Sequence, residues 1–212
     1  VIHGSAINSD GRSKGMVAPN ARAQMACVRA AFARAGIDPA ATQYVEAHGT
    51  GTVLGDPIEV AALQEVFGGA GRPPASCALG SVKSNLGHLE GAAGLAGLFK
   101  LLLQLRHGVV APSLHSRTLN PHLDLAATPF HIPQAPLPWP RGATPRRAGL
   151  SSFGAGGANA HVVVEEGPPA PADAGPDGQR HLFILSARES SRLRATVAAW
   201  REWLRRPAEL SR

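Results

Sequence analysis

The residues able to do chemistry in this chain gather in three glycine-rich turns: His48-Gly49-Thr50-Gly51-Thr52, Val82-Lys83-Ser84-Asn85-Leu86-Gly87-His88 and Phe153-Gly154-Ala155-Gly156-Gly157. Each follows a run of strand-forming residues, and such turns bring backbone N–H groups close to a ligand or a developing oxyanion. Two of the turns carry a histidine, and in the second a lysine stands five residues before it. His88 is expected at the N-terminus of a long helix, where the dipole lowers imidazole basicity and favours a neutral ring. Two neutral imidazoles beside a buried ammonium suit the stabilisation of an enolate. The plainer alternative, ordinary strand–turn–helix units with unremarkable histidines, is left open by the pattern itself.

Other chemistries fail on spacing. His3, His107, His115, His122, His131 and His161 have no partner pattern and read as structural. No cysteine pair, no H-x-x-x-H and no acidic cluster beside a histidine is present, so no metal is expected. Gly49-Thr50-Gly51 starts a dinucleotide fingerprint, but its third glycine would fall where Leu54 stands, and no acidic residue closes a second strand about 20 residues on. No G-x-S-x-G is present for a serine hydrolase. Cys27 sits in an Ala/Arg-rich helix without a glycine turn or adjacent serine, and Cys77 begins a strand. Both read as structural thiols.

The elements that must position these turns follow from periodicity and punctuation. Residues 1–9 read as a strand, followed by a loop through Pro19. Residues 20–35 have helical spacing and stop at Gly36. Gln43 to Ala47 form a short strand that runs into the His48 turn. Asp56 as N-cap and Pro57 at the first helical position open a helix through Val66. Cys77 to Ser81 form another strand, residues 82–88 a loop, and Leu89 to Leu105 the longest apolar helix. Its start, Gly91-Ala92-Ala93-Gly94, is all small, so a close packing partner is expected. Residues 109–145 are proline-rich without periodicity and suggest an ordered wrap. Two strands, near Arg147–Ser152 and Ala160–Glu166, flank the Phe153 turn. A Pro/Gly-rich linker spans 167–179, and a strand (His181–Leu185) and an Arg-rich amphipathic helix (Glu189–Arg206) begin a new unit.

Composition narrows the class. With 212 residues, 44% hydrophobic and 17% charged, the chain can bury a core and is neither disordered nor a coiled coil. Its 24 Gly and 18 Pro are not periodic, which excludes collagen. No apolar run approaches a membrane span and the N-terminus has no signal-peptide pattern. Two cysteines cannot make a disulfide framework. A cytoplasmic, globular protein without membrane association is expected. The net charge of +6 resides mostly in residues 180–212, where eight Arg face Glu189, Glu202 and Glu209. The rest of the chain carries a surplus of one, so no basic face for nucleic acid is expected.

Glu46-Ala47-His48-Gly49-Thr50-Gly51-Thr52 with Gly55-Asp56-Pro57-Ile58-Glu59, Gly80-Ser81-Val82-Lys83-Ser84-Asn85-Leu86-Gly87-His88, and Arg147-Ala148-Gly149-Leu150-Ser151-Ser152-Phe153-Gly154 resemble the β-ketoacyl synthase (ketosynthase) domain of modular type I polyketide synthases. The resemblance runs from residue 1 to Glu166 in the family's order and spacing. Phe153 to His161 is most similar to synthases whose acyltransferase acts in trans, and residues 180–206 to the start of the linker domain that follows a ketosynthase. The resemblance implies an α/β, thiolase-like layered fold, with a C-terminal ketosynthase half over 1–166, a linker over 167–179 and the start of a small α/β domain over 180–212.

It also implies a reaction, the decarboxylative Claisen condensation of an acyl chain with malonyl-acyl carrier protein. Carried over by motif, His48 and His88 hydrogen-bond the malonyl thioester oxygen and Lys83 organises the site electrostatically. Thr50 and Thr52, with Phe153, meet the phosphopantetheine arm, and the backbone N–H of Ala155 forms half of an oxyanion hole. A side chain as small as Ala155 departs from the bulkier residue of many relatives. No cofactor is expected on the chain itself; substrates arrive on the phosphopantetheine of acyl carrier proteins. The family's nucleophile lies in a Cys-Ser-Ser type motif that is absent here. The expected partner is therefore an N-terminal half bearing that cysteine, without which this half is expected to expose a large apolar face and to be inactive. A homodimer is implied for the complete synthase. The alternatives are a non-catalytic carrier-docking scaffold, which retained His48, Lys83 and His88 disfavour, and a synthase that passes chains on without extending them.

Overall fold

The computed structural model describes residues 1–12, 18–69, 71–168 and 184–204, and the chain divides into two units, Val1–Pro168 and Pro169–Arg212. In the first unit β1 (Ile2–Ser9) is followed by α1 (Ala21–Ala35), β2 (Tyr44–Glu46), α2 (Gly55–Phe67), β3 (Cys77–Gly80) and a single helical turn, α3 (Lys83–Leu86). Then come α4 (Ala93–His107), β4 (Val109–Val110), β5 (Phe130–His131), β6 (Leu137–Pro138), β7 (Arg147–Phe153) and β8 (Ala158–Glu165). Six strands form one sheet in the order β1-β8-β7-β2-β3-β5, antiparallel through β7 and parallel from there. β4 and β6 pair separately.

Local chemistry explains the helix bounds. Asn20 Oδ1 accepts from the N–H groups of Arg22 and Ala23, and Gly36 closes α1 at φ +64°, the left-handed conformation glycine adopts without strain. α1 lays Cys27, Val28, Ala31 and Phe32 on one sheet face, in a core shared with Leu63 and Phe67 of α2. α4 covers the other face with Leu101 and Leu105, packed among Tyr44, Ala148, Leu150 and Trp139. Each fully buried leucine contributes about 1.5–3 kcal/mol of transfer free energy. The central strands are buried on both faces, as parallel strands covered by helices are. This is a layered α/β architecture.

Four expectations need correction. Asp56 does not cap α2: the helix begins at Gly55, and the Asp56 carboxylate turns back to accept the Gly51 N–H at 3.0 Å. The stretch 82–88 is not all loop, because α3 occupies Lys83–Leu86. α4 begins at Ala93, not Leu89, after a separate 3₁₀ turn at Glu90–Ala92, and no side chain caps either element. The close packing expected along Gly91–Gly94 is found at Gly94 and continues to Gly97, while Gly91 has open space around it. A Cβ on Gly97 would lie 2.8 Å from Leu150 Cδ1 and 3.2 Å from Glu46 Cγ, and one on Gly94 3.0 Å from Ser152 Oγ. Short strands also interrupt the wrap over 109–145, and β5 joins the main sheet. The outer side of α4 leaves Leu95 (59%), Phe99 (61%) and Leu103 (52%) exposed.

His161 of β8 is fully buried, with Nδ1 3.0 Å from Ser151 Oγ and its ring beside Phe32. Burial pushes its pKa from 6.5 down to about 3. The unfolded chain therefore takes up a proton below 6.5 that the folded state refuses down to about 3. The stability this supplies is complete above 6.5 and lost as pH falls toward 3. Urea midpoints should drop between about pH 6.5 and about pH 4, and His161→Gln should flatten that slope; an unchanged slope in the variant would refute the assignment.

The second unit contains α5 (Ser190–Leu204), in which Trp200 and Trp203 meet edge to face at 5.4 Å. Of the expected strand at His181–Leu185, residues 181–183 lie outside the described residues, as do 169–179 of the expected linker and 205–206 of the last helix. Among the described residues, no helix is long and apolar enough to cross a membrane.

Candidate functional site

β2 and β3 run side by side in parallel, so the turns that follow them emerge at the same sheet edge. β7 lies on the other side of β2 and delivers Phe153 to the same place. Crevices beyond the carboxyl ends of such strands are where α/β folds place their ligands. The backbone of this corner is held by buried carboxylates. Glu59, on α2 and 4% exposed, accepts the His48 N–H on Oε1 at 2.7 Å and the Gly49 N–H on Oε2 at 2.9 Å. Burial pushes its pKa up to about 7 against the pull of those two N–H groups. Glu46, 1% exposed at the end of β2, accepts from Tyr44 Oη and from the Val82 N–H, and pairs with Lys100 Nζ at 3.0 Å. Lys100, on α4, also donates to Tyr44 Oη at 2.9 Å.

The structure brings His48, His88 and Phe153 together. The two imidazoles stand edge to face with centroids 5.7 Å apart, and the Phe153 ring is 5.5 Å from His48. His48 Nδ1 accepts the Phe153 N–H at 3.2 Å. His88 Nδ1 accepts the Glu90 N–H at 2.9 Å. A ring nitrogen that accepts carries no proton, so each neutral ring holds its proton on Nε2 and presents it as a donor. Burial, then the nearby Lys83 charge, then His88, lowers the His48 pKa from 6.5 to about 4, which keeps it neutral near pH 7. His88 is not at a helix N-terminus, since α4 starts only at Ala93; a local N–H, not a helix dipole, orients its ring.

Lys83 Nζ donates to the His48 carbonyl. Its pKa is lowered by burial, a shift that Glu59, Glu46 and Asp56 partly offset. Thr52 Oγ1 accepts the Gly55 N–H at 3.0 Å and lies 3.4 Å from Thr50 Oγ1, and both threonines are exposed. Ala155 is exposed, and among the described residues no backbone acceptor takes its N–H. A groove of about 570 Å³ runs from Thr50 and Lys83 past Glu59 toward Leu114, Leu119 and Ile132, and neither imidazole lines it. Cys27 and Cys77 are buried, the first with Sγ donating to the Ala6 carbonyl, and burial pushes Cys77 up to about 12. Neither is a nucleophile in this environment. Among the described residues no group of three His, Cys, Asp or Glu side chains could hold a metal ion.

Sequence reasoning gives Glu46 and Glu59 no role of their own and passes over Lys100. The available signal is polarity inside apolar runs. Glu59 interrupts Ile58-Val60-Ala61-Ala62-Leu63, and Lys100 interrupts Leu98-Phe99 and Leu101-Leu102-Leu103.

A layered α/β fold that sets two Nε2–H donors and an ammonium at one sheet edge can stabilise negative charge on an oxygen placed there. Residues 1–117 match the family described as Beta-ketoacyl synthase, C-terminal domain, and residues 120–212 the Ketoacyl-synthetase C-terminal extension. The chain belongs to the β-ketoacyl synthase family. It is 48% identical over 211 residues to a phenolphthiocerol/phthiocerol polyketide synthase of Mycobacterium tuberculosis, covering 98% of this chain and 11% of that protein. It is 51% identical over 213 residues to polyketide synthase ThaG of Burkholderia thailandensis, covering 95% and 4%. Among solved structures it is similar to the ketosynthase from module 6 of the Bacillus subtilis 168 bacillaene synthase (41% identity, TM-score 0.76, 98% of this chain and 36% of that one). It is also similar to the oxazolomycin ketosynthase domain OzmH KS7 of Streptomyces albus JA3453 (46%, 0.78, 100% and 38%). The chain thus spans little more than a third of those ketosynthases and about a tenth or less of the curated relatives. The fold is thiolase-like.

Proposed function

We propose that this chain is the C-terminal half of a polyketide β-ketoacyl synthase that condenses an acyl chain with malonyl-acyl carrier protein. The observation that carries the reading is the pair of imidazoles whose Nδ1 atoms are both occupied by backbone N–H groups, leaving two Nε2–H donors side by side. When the malonyl C–C bond breaks and CO₂ leaves, its electron pair moves onto the thioester oxygen, and two donors aimed there stabilise that charge. The enolate carbon then attacks the acyl thioester, and the cysteine thiolate departs. Lys83 adds a fixed positive field, and the Ala155 N–H, which no backbone acceptor among the described residues takes, is available to the acyl oxyanion. The exposed Thr50 and Thr52 hydroxyls and the Phe153 ring flank the approach of the phosphopantetheine arm.

The inert environments of Cys27 and Cys77 support a nucleophile on an N-terminal half outside this chain. The run Phe153–His161 supports a synthase whose acyltransferase acts in trans. Acyl carrier proteins are the proposed partners, a homodimer of the complete synthase the proposed assembly, and the cytoplasm the proposed location; the domains are those set out from the sequence, 1–166, 167–179 and 180–212.

Intact-mass spectrometry after incubation with an acyl-pantetheine thioester tests the division of labour. The adduct should appear on the cysteine-bearing half, and an adduct on Cys27 or Cys77 would overturn it. His88→Ala in the complete synthase should lower CO₂ release from malonyl-carrier about a hundredfold or more, and release at the native rate would refute the donor role.

A further inference from the structure

We propose that Glu59 is a positioning residue for His48: by accepting both the His48 and the Gly49 N–H groups, its carboxylate sets the height and angle at which the catalytic imidazole leaves the sheet. The inference rests on the condensing role proposed for His48 and extends it to a residue that touches no reacting atom. Each Glu59 oxygen serves one N–H, at 2.7 and 2.9 Å, so the two peptide planes are fixed as a pair and not merely satisfied. Lys83 Nζ holds the His48 carbonyl from the opposite end of the same residue. With N–H and C=O both gripped, the Cα–Cβ direction of His48 is determined before its ring meets the Phe153 N–H. Gly49 must turn at φ +46°, where a Cβ would lie 2.8 Å from Ser81 Cβ; the second Glu59 bond holds that left-handed turn in place. Only a two-oxygen acceptor of this length fits. An amide would set an N–H₂ against a backbone N–H, and aspartate is one methylene short of both. Asp56 and Lys83 are the other charged groups near this carboxylate, and neither bonds to the two N–H groups it holds.

Glu59→Gln keeps the volume and removes one acceptor. In the complete synthase it should lower kcat about tenfold to a hundredfold with KM within about twofold. On a His48→Ala background the same change should cost nothing further, a result that general loosening of the fold would not give. The His48 ring ¹⁵N signals should move from the Nε2–H tautomer toward averaged values. Equal kcat in Glu59→Gln and the parent, or a further loss on the His48→Ala background, overturns the positioning role. If His48→Ala itself condenses normally, it is the reading of the site that fails. Should the glutamine variant not fold, hydrogen exchange on the unaltered protein decides: the His48 and Gly49 amides must exchange far more slowly than an exposed turn amide such as Thr50, and equal rates sink the proposal.

Discussion

Condensation by the complete synthase should fall about a hundred- to a thousandfold when His48 is replaced by alanine, with the circular dichroism spectrum and melting temperature nearly unchanged. The size of the effect follows from what the ring supplies. A donor that is already neutral and already aimed stabilises the enolate oxygen without reorganisation, and in a partly desolvated corner that interaction is worth several times its value in water. The fold loses little: the side chain is half-buried, and its removal leaves one N–H, that of Phe153, without an acceptor, a cost of about 1 kcal/mol. Because His48 and His88 are proposed to serve one oxygen, the double variant should be little worse than either single one. Product formed at more than about a tenth of the parent rate by a folded His48→Ala protein would remove His48 from the mechanism.

The second large effect concerns stability. Lys100→Met keeps most of the side-chain volume but strips Glu46 of its cation, 3.0 Å away, in a site where both partners are almost wholly buried. Breaking such a pair from one side costs about 3–5 kcal/mol, because the remaining charge is stranded. The loss should appear as a lower urea midpoint with little change in slope. Adding Glu46→Gln to Lys100→Met should recover part of it, since the amide oxygen can still accept from Val82 or Tyr44 and carries no charge. A single variant within about 1 kcal/mol of the parent, or a double variant worse than the single, would mean that the pair is not held as described. Glu46 also receives the N–H of Val82, which opens α3, so the turn bearing Lys83 should loosen in the same variants.

Which parts of this are legible in the sequence depends on range. The three turns are contiguous runs, and their order and content point to the family and to the enolate chemistry proposed for it. α1 can be bounded from the sequence because Asn20 and Gly36 act on their own neighbours. The start of α4 cannot, since neither Leu89 nor Ala92 supplies a capping side chain and Glu90-Gly91-Ala92 is as compatible with a helix as with the 3₁₀ turn it forms. Asp56 illustrates competition: Asp before Pro is a sound cap signal, but the Gly51 N–H lies within reach and wins the carboxylate. The buried charges are illegible for a different reason. A lysine in an apolar helix has no evident purpose until the chain folds a tyrosine 56 positions earlier against it. The orientation of His88 likewise depends on a helix boundary that only the folded backbone reveals.

The sheet order has a consequence for how this protein is made. β1 contains residues 2–9, yet its partner in the sheet is β8, residues 158–165, and α1 packs on both. A ribosome working at about 5–20 residues per second needs roughly 8–30 s to travel between those two strands. For that interval the first strand and first helix exist without the surface they are meant to cover, while β2, β3 and α4 can already assemble among themselves. Completion of the sheet is therefore a late event in synthesis, closed by the Arg147–Glu165 hairpin. A pause placed before that hairpin would leave β1 without its partner strand β8, and one placed after it would not.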